Sequence, residues 1–246
     1  MQRDGGIIYV VGIGPGDHED MTIRADKCLR EVSVIVGYDL YVDLVRDSYP
    51  GKEFITTPMR KEKERCVLAL ERAAGGQSVA LVCSGDPQVY GLASLLYELS
   101  FEKDKVRVEV IPGITAALGG SAVLGAVVNH DFCVISLSDH LTEASLIEKR
   151  LRNASEADMV MVLYNPGSHT RPDALKKACG VLLETTDENR ICGVVRNIGR
   201  KGQEYELMTL KELEDYGADM YTTVFIGNSR SFAKNGRLIT PRGYKL

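Results

Sequence analysis

The sequence predicts an α/β protein with mainly parallel sheets, folded as two domains with a cleft between them. Short apolar runs rich in β-branched residues, the pattern of strands buried on both faces, alternate with segments of helical spacing. The chain has 246 residues, enough for one large domain or two modest ones. A stretch rich in glycine and alanine, residues 119–125, interrupts the alternation. We therefore expect domains at residues 1–118 and 119–246.

The first half is organised around residues 79–91, an apolar run that ends in Ser84-Gly85-Asp86-Pro87. Glycine and proline favour a turn there, and apolar residues at helical spacing return from Val89 onward. Strands are predicted at 7–13, 33–36, 54–57, 79–83 and 106–111. Helices are predicted after Thr22 as N-cap, at 62–74 before Gly75-Gly76, from about residue 89, and after Pro112.

The second half repeats the alternation. Strands are predicted at 132–137, 159–164, 190–196, 205–209 and 222–226, and helices at 145–154, 172–184 and 211–216. Parallel strands leave their following loops on one edge of the sheet, where ligands bind in open α/β folds. The turns after Gly12, Cys83, Ile111, Tyr164 and Arg196 are therefore expected to converge.

Composition excludes several classes of protein. A net charge of −4 disfavours a nucleic-acid binder, which needs a basic surface. No apolar run is long enough to span a bilayer, and the first residues, MQRDGG, lead straight into a strand, so neither a membrane span nor a signal peptide is expected. The six cysteines form no C-x-x-C pair, which favours buried, reduced thiols in the cytoplasm. The four histidines have no metal-ligand spacing, so no metal site is expected.

The turn Gly12-Ile13-Gly14-Pro15-Gly16-Asp17 resembles a dinucleotide-binding loop but departs from it. Asp17 stands where that loop has a third glycine, and its carboxylate would repel a diphosphate. Pro15 also removes an N–H donor. Asp39, after the second strand, stands where an acid could bind a ribose, so a nicotinamide-dependent oxidoreductase stays an alternative. A Walker lysine and a G-x-S-x-G elbow are absent from the sequence.

Taken together, the strings VVGIGPGD, SGDPQVYG and VIPGITAA resemble the tetrapyrrole methylases, a family of S-adenosylmethionine-dependent methyltransferases. In the second half HDFCVISLSD, VLYNPGS, VVRNIGRKG, TTVFIGNS and ITPRGY are similar to the branch that methylates carbon 17 of precorrin-3B or cobalt-factor III in cobalamin biosynthesis. The sequence departs from that branch at Gln88, commonly glycine, and over Asp139–Ala144, where a more apolar run is expected.

The resemblance implies a homodimer of two-domain subunits that bind folded S-adenosylmethionine in the interdomain cleft and release S-adenosylhomocysteine. The residues that it assigns to the cofactor are Pro15, Ser84, Gly85, Asp86, Val89, Thr115, Ala116, Tyr164, Asn165, Asn197, Ile198 and Thr223. The GIGPGD loop would then face the tetrapyrrole rather than a diphosphate, which agrees with the objections to Asp17 and Pro15.

The implied reaction is methyl transfer to carbon 17, coupled to contraction of the ring. Contraction requires proton movement, and Asp17, His130 and Asp139 are the candidate acids or bases, because they lie on loops expected near the cleft. The sequence does not choose among them. The acidic substrate also calls for local positive charge, for which the candidates are Arg60, Lys61, Arg171, Arg196, Arg200 and Lys201. Methylation at another ring carbon and a non-catalytic tetrapyrrole carrier stay open.

Overall fold

A computed structural model of the chain describes residues 6–101 and 106–245. The residues divide into two compact units, Met1–Thr115 and Ala116–Leu246, which are described separately. The boundary expected after residue 118 falls inside the helix Ala116–Leu124 that opens the second unit. Residues 1–5, on which the expectation of no signal peptide partly depends, lie outside the described residues.

The first unit is one sheet with helices on both faces. Its strands are β1 (Ile7–Gly12), β2 (Val34–Tyr38), β3 (Glu53–Thr57), β4 (Ser78–Cys83) and β5 (Arg107–Ile111). Its helices are α1 (Ile23–Glu31), α2 (Asp39–Asp43), α3 (Glu62–Ala74) and α4 (Ala93–Ser100). The strand order is β3-β2-β4-β1-β5, and every pairing is parallel. The α/β class and the parallel sheet predicted for this half are confirmed.

Both faces of this sheet are buried, which explains its near-continuous apolar strands. Ile8, Val10 and Leu81 pack in one core cluster, and Val11 and Val82 pack in another. Gly12 stands opposite Cys83, and Val11 stands opposite Ile111, so β1, β4 and β5 end nearly level. The turns that follow these three strands therefore meet at one edge of the sheet, which confirms the predicted convergence for the three turns of this unit.

Helix boundaries agree with the sequence where caps and periodicity are clear. The Thr22 hydroxyl accepts a hydrogen bond from the backbone N–H of Ala25 (3.1 Å), which is the predicted N-cap of α1. Helix α3 has the predicted bounds. The prediction fails after β4, where α4 begins at Ala93 and not near residue 89. Tyr90 has a φ of 55° there, which is incompatible with a right-handed helix.

The described residues of the second unit form a larger sheet, a shorter sheet and four helices. Its helices are α5 (Ala116–Leu124), α6 (Ala144–Glu156), α7 (Ala174–Leu183) and α8 (Leu210–Leu213). Its strands are β6 (Gly125–Ala126), β7 (Phe132–Ser136), β8 (Val160–Tyr164), β9 (Ile191–Arg196), β10 (Glu204–Thr209), β11 (Thr222–Ile226), β12 (Phe232–Lys234) and β13 (Arg237–Ile239).

The larger sheet of this unit departs from the predicted parallel pairing. Its order is β10-β9-β11-β8-β7, and only β7 and β8 pair in parallel. Strand β10 follows β9 without a crossover helix, and adjacent strands joined by a short loop pair antiparallel. Strand β11 runs antiparallel between β8 and β9. The carboxyl ends of β7, β8 and β9 therefore share one edge with the beginning of β11.

The short sheet, whose order is β12-β13-β6, was not predicted from the sequence. Strands β12 and β13 form a hairpin across Asn235-Gly236, where φ is 52° and 72°. Asn-Gly between strand-like runs is the strongest local hairpin signal, so this element was detectable. No helix among the described residues is long and apolar enough to cross a membrane.

Candidate functional site

The turns after β1 and β4 are hydrogen-bonded to each other in the first unit. The N–H of Ile13 donates to the carbonyl of Cys83 (3.0 Å), and Gly14 and Gly85 exchange hydrogen bonds of 3.3 Å and 2.7 Å. Both glycines have positive φ, 75° and 67°, a conformation that glycine adopts without steric cost. Two of the motifs singled out in the sequence therefore form one structure at the carboxyl edge of the sheet.

The turn after β5 packs directly against this pair. A Cβ atom on Gly113 would lie 2.2 Å from the carbonyl oxygen of Gly85, and one on Gly12 would lie 2.6 Å from the Gly113 nitrogen. Both distances are far below van der Waals contact. These glycines are therefore required so that three backbone segments can meet at the end of the sheet.

Asp86 joins the turns through its carboxylate and is only 8% exposed. Its Oδ1 accepts the N–H of Gln88 (2.8 Å), and its Oδ2 accepts the N–H of Gly113 (3.0 Å). Both oxygens are thus engaged by backbone donors. Asp86 is suited to holding the turns after β4 and β5 at a fixed separation, which places their backbone groups for any ligand.

The loop that carries Asp17 is anchored by a polar cluster built around the buried Tyr49. Oδ1 of Asp17 accepts the N–H of Glu19 (2.9 Å), which begins a single 3₁₀ turn. The next residue, His18, contacts Asp26 through Nε2 (3.2 Å), and the buried Tyr49 hydroxyl donates to the same carboxylate oxygen (2.8 Å). A hydrogen bond from Arg30 is the main cause that lowers the pKa of Asp26. Asp17 itself is exposed on this anchored loop.

In the second unit, predicted cofactor residues lie along one edge of the larger sheet. Thr222 stands opposite Arg196, and Val224 stands opposite Leu163. The start of β11, which includes the buried Thr223, therefore lies between the ends of β8 and β9, where Tyr164, Asn165, Asn197 and Ile198 are found. The hydroxyl of Tyr164 accepts the N–H of Ala117 (2.8 Å), which also brings Ala116 and the start of α5 to this edge.

Two asparagines at this edge have left-handed backbone conformations. The φ angles of Asn165 and Asn197 are 55° and 53°. Nδ2 of Asn165 donates to the hydroxyl of Ser136 (2.9 Å), and Nδ2 of Asn197 donates to the carbonyl of Gly202 (3.3 Å). Asparagine tolerates this conformation better than most residues. Both side chains are therefore held in place directly after a strand.

The three candidate acids and bases do not lie together. His130 precedes β7 and Asp139 follows it, so they stand at opposite ends of a five-residue strand, about 17 Å long. Nδ1 of His130 accepts the N–H of Asp131 (2.8 Å), while Asp139 is exposed and lies 3.7 Å from Nε of Arg171. Asp17 belongs to the first unit. Of the two candidates in the second unit, only Asp139 lies at the carboxyl edge.

Some candidate cations already have acidic partners. Arg196 contacts Asp219 (2.8 Å) and Glu204 (3.4 Å), and Lys61 contacts Glu64 (2.9 Å).

The buried Arg65 and the unusual backbone of Tyr90 were not predicted from the sequence. Neither leaves a signal in the sequence, since burial and a left-handed tyrosine depend on contacts formed only in the fold. Among the described residues, no group of acidic, histidine or cysteine side chains could hold a metal ion.

The fold and these edges define an α/β protein whose small-residue turns are suited to a nucleoside-like ligand. Residues 7–214 match the family described as Tetrapyrrole (Corrin/Porphyrin) Methylases, and the chain belongs to this family. The resemblance identified from the sequence is thereby confirmed. Membership in a methylase family also disfavours the alternative of a nicotinamide-dependent oxidoreductase.

Relatives narrow the similarity further. The chain is 43% identical over 241 residues to the probable cobalt-factor III C(17)-methyltransferase of Salmonella typhimurium, covering 98% of this chain and all of that protein. It is 36% identical to the precorrin-3B C(17)-methyltransferase of a Sinorhizobium species, covering 97% of both. The chain spans about half the length of some other relatives, such as the cobalamin biosynthesis protein CbiHC of Archaeoglobus fulgidus (43% identity, 97% of this chain and 53% of that protein).

Solved structures agree with this relationship. The crystal structure of the methyltransferase CobJ superposes with a TM-score of 0.89 at 35% identity, covering 96% of this chain and all of that one. The cobalt precorrin-4 methyltransferase CbiF has a TM-score of 0.74 at 23% identity, with 90% and 94% of the two chains covered. At that identity the second comparison supports the fold alone.

Proposed function

We propose that the chain is an S-adenosylmethionine-dependent C-methyltransferase of cobalamin biosynthesis that methylates carbon 17 of cobalt-factor III or precorrin-3B and couples this step to ring contraction. The observation that carries the proposal is the 43% identity over the whole length of a relative named for that reaction. The TM-score of 0.89 to CobJ supports the same assignment.

The turns of the first unit fit S-adenosylmethionine better than a dinucleotide. Gly14, Gly85 and Gly113 leave backbone groups uncovered by Cβ atoms, while Asp17 and Asp86 are acidic. Acidic groups disfavour a diphosphate and suit a ligand that carries sulfonium and ammonium charges. The turns contain no basic side chain that would offset the charge of a diphosphate.

The protein's contribution to the reaction is mainly alignment. Bound S-adenosylmethionine supplies an electrophilic methyl group on a sulfonium. Orienting two reactants in this way contributes roughly 7–11 kcal/mol. In the first unit, Asp86 holds the turns that would line the cofactor through its two backbone hydrogen bonds. In the second unit, Tyr164 and the left-handed asparagines are the residues that we propose for the cofactor.

Proton transfer during contraction is assigned to the carboxylates at the strand ends. Asp17 is exposed on a loop anchored by the His18–Asp26–Tyr49 cluster, which limits its movement. Asp139 is exposed beside Arg171. His130 stands at the other end of β7 and is the weakest of the three candidates. A positioned acid or base contributes about 10²–10⁴-fold.

The decisive experiment incubates the purified chain with cobalt-factor III and S-adenosylmethionine that carries an isotope-labelled methyl group. We expect a product heavier by one labelled methyl, with fragmentation placing it at carbon 17 and an absorbance change that reports contraction. Labelling at another ring carbon would refute the assignment to carbon 17. Binding of the macrocycle without label transfer would favour a tetrapyrrole carrier.

Separate measurements test the residues assigned to each role. Asp17→Asn, Asp139→Asn and His130→Gln are compared for methylation and contraction, with exposed Asp47→Asn as the control. Retention of both activities by all three variants would exclude these candidates. Calorimetric titration with S-adenosylhomocysteine and with NAD tests the cofactor. We also propose a homodimer in the cytoplasm, and sedimentation equilibrium measures the oligomeric state.

A further inference from the structure

The turn after β3 is an unusual feature of the first unit that the assigned roles leave unexplained. Arg60 has a φ of 65°, a left-handed conformation that glycine and asparagine adopt readily but arginine does not. The residue lies on the exposed segment between β3 and α3, together with Met59 and Lys61. Backbone strain of this kind persists where the surrounding structure enforces it, and it clusters at ligand sites.

The side chain of Arg65 holds this turn in place through hydrogen bonds. Its Nε donates to the Thr57 hydroxyl (2.8 Å), and its Nη2 donates to the carbonyls of Thr57 (3.4 Å) and Pro58 (3.0 Å). The guanidinium also lies 5.8 Å from the centre of the Tyr38 ring. Tyr38 and Thr57 are neighbours at the ends of β2 and β3, so Arg65 ties the turn to the carboxyl edge of the sheet.

Arg65 is buried without an acidic partner. It is 4% exposed, and within the described residues no carboxylate lies within ion-pairing distance of its guanidinium. By contrast, the half-buried Arg190 contacts Asp158 at 3.2 Å. A buried charge that lacks a counter-ion is costly, and it makes its surroundings attractive to an anion. The buried guanidinium of Arg65 therefore adds a positive charge at the carboxyl end of β3 that no described carboxylate offsets.

We propose that Arg60, held in place by Arg65, binds a side-chain carboxylate of the tetrapyrrole substrate. This inference rests on the proposed function, which supplies a flat macrocycle bearing carboxylates. Arg60 follows β3, and the exposed Tyr90 follows β4. Strand β2 lies between these two strands, which are therefore about 10 Å apart, or two strand spacings. This edge is thus broad enough for a macrocycle to reach both loops.

The main test replaces Arg60 with glycine, which removes the guanidinium and relieves the strained φ. We expect the KM for cobalt-factor III to rise about tenfold, the loss of one charge-assisted hydrogen bond. The kcat and the affinity for S-adenosylhomocysteine should stay unchanged, and the melting temperature should rise. Arg60→Lys should keep most of the affinity. Increasing salt should raise the KM of the wild type more than that of Arg60→Gly.

The matched control is Arg72→Gln. Arg72 is on helix α3, as Arg65 is, but its guanidinium contacts Glu53 (2.7 Å) at the amino end of β3. The loss of Arg72 should therefore leave the KM for cobalt-factor III unchanged. Arg65→Lys tests the positioning role, because it keeps the charge and loses the paired bonds to two carbonyls. We expect it to raise the KM less than Arg60→Gly does and to leave kcat unchanged.

Direct binding of uroporphyrin III, a polycarboxylate macrocycle, separates failure of this inference from failure of the proposed function. Weaker binding to Arg60→Gly than to the wild type supports the role of Arg60, even if the wild type transfers no methyl to cobalt-factor III. Equal binding to both proteins, or equal KM values, would overturn the role of Arg60 and leave the proposed function standing. Failure of the wild type to bind either macrocycle would overturn both.

Discussion

Replacing Asp86 tests whether its carboxylate holds the turns of the first unit together. Each of its two oxygens accepts a backbone N–H, at 2.8 Å from Gln88 and 3.0 Å from Gly113. A hydrogen bond to a charged group contributes about 1.5–3 kcal/mol, so Asp86→Ala should lower the free energy of unfolding by about 3–6 kcal/mol. Asp86→Asn keeps one acceptor oxygen and should lose about half of that amount.

Urea denaturation measures these losses through the transition midpoint at constant slope. Asp47→Ala, an exposed carboxylate of the same unit, should change the free energy of unfolding by less than about 0.5 kcal/mol. Affinity for S-adenosylhomocysteine should fall in Asp86→Asn, because the turns after β4 and β5 lose their fixed separation. An Asp86→Ala variant as stable as the control would refute the interpretation that this carboxylate joins the two turns.

Three further predictions concern buried polar groups and thiols. Tyr49→Phe removes the 2.8 Å hydrogen bond to Asp26 and should cost about 1–2 kcal/mol of stability by urea denaturation, and an unchanged midpoint would contradict this. Because Arg30 and Tyr49 lower the pKa of Asp26, its contribution to stability is complete above its unfolded pKa of about 3.9 and is lost as the pH falls through the lower folded value. Asp26→Asn should therefore lose less stability than the wild type between pH 7 and pH 3, and equal losses would exclude this coupling. Burial raises the pKa of Cys66 to about 12, so an alkylating reagent should modify the half-buried Cys133 before Cys66. Peptide mass mapping measures the order of modification, and earlier modification of Cys66 would show that its site opens readily.

Elements that depend on local pattern were predictable from the sequence. Helix α3 has the predicted bounds because its apolar spacing is regular and Gly75-Gly76 follows it. The strands of the first sheet were recognisable because both of its faces are buried. The pairing of β11 between β8 and β9 was not predictable, since strands far apart in sequence choose their direction through tertiary contacts.

The candidate site also has features that were predictable from residue type and features that depend on contacts between distant residues. The turns at Gly12, Gly85 and Gly113 were found from their residue types, because only glycine permits such close backbone contact. The role of Asp86 in joining the turns after β4 and β5 was not evident from the sequence, since its partner Gly113 lies 27 residues away along the chain. Arg65 sits among the regular apolar positions of α3, and its burial depends on the distant end of β2 as well as on Thr57.

Left-handed backbone at residues other than glycine provides an independent indication of where ligands bind in each unit. The residues other than glycine that have positive φ in the described parts of the chain are Arg60, Tyr90, Asp158, Asn165, Asn197 and Asn235. Two have local explanations: Asp158 follows the end of α6, and Asn235 closes the β12–β13 hairpin. The other four lie on loops that follow the carboxyl ends of strands β3, β4, β8 and β9. Left-handed backbone that neither helix capping nor hairpin closure explains is thus concentrated where α/β sheets bind ligands, and at Arg60 and Tyr90, which lack the tolerance of asparagine, it is strained as well. Ligand binding is a reason for such a conformation to be retained.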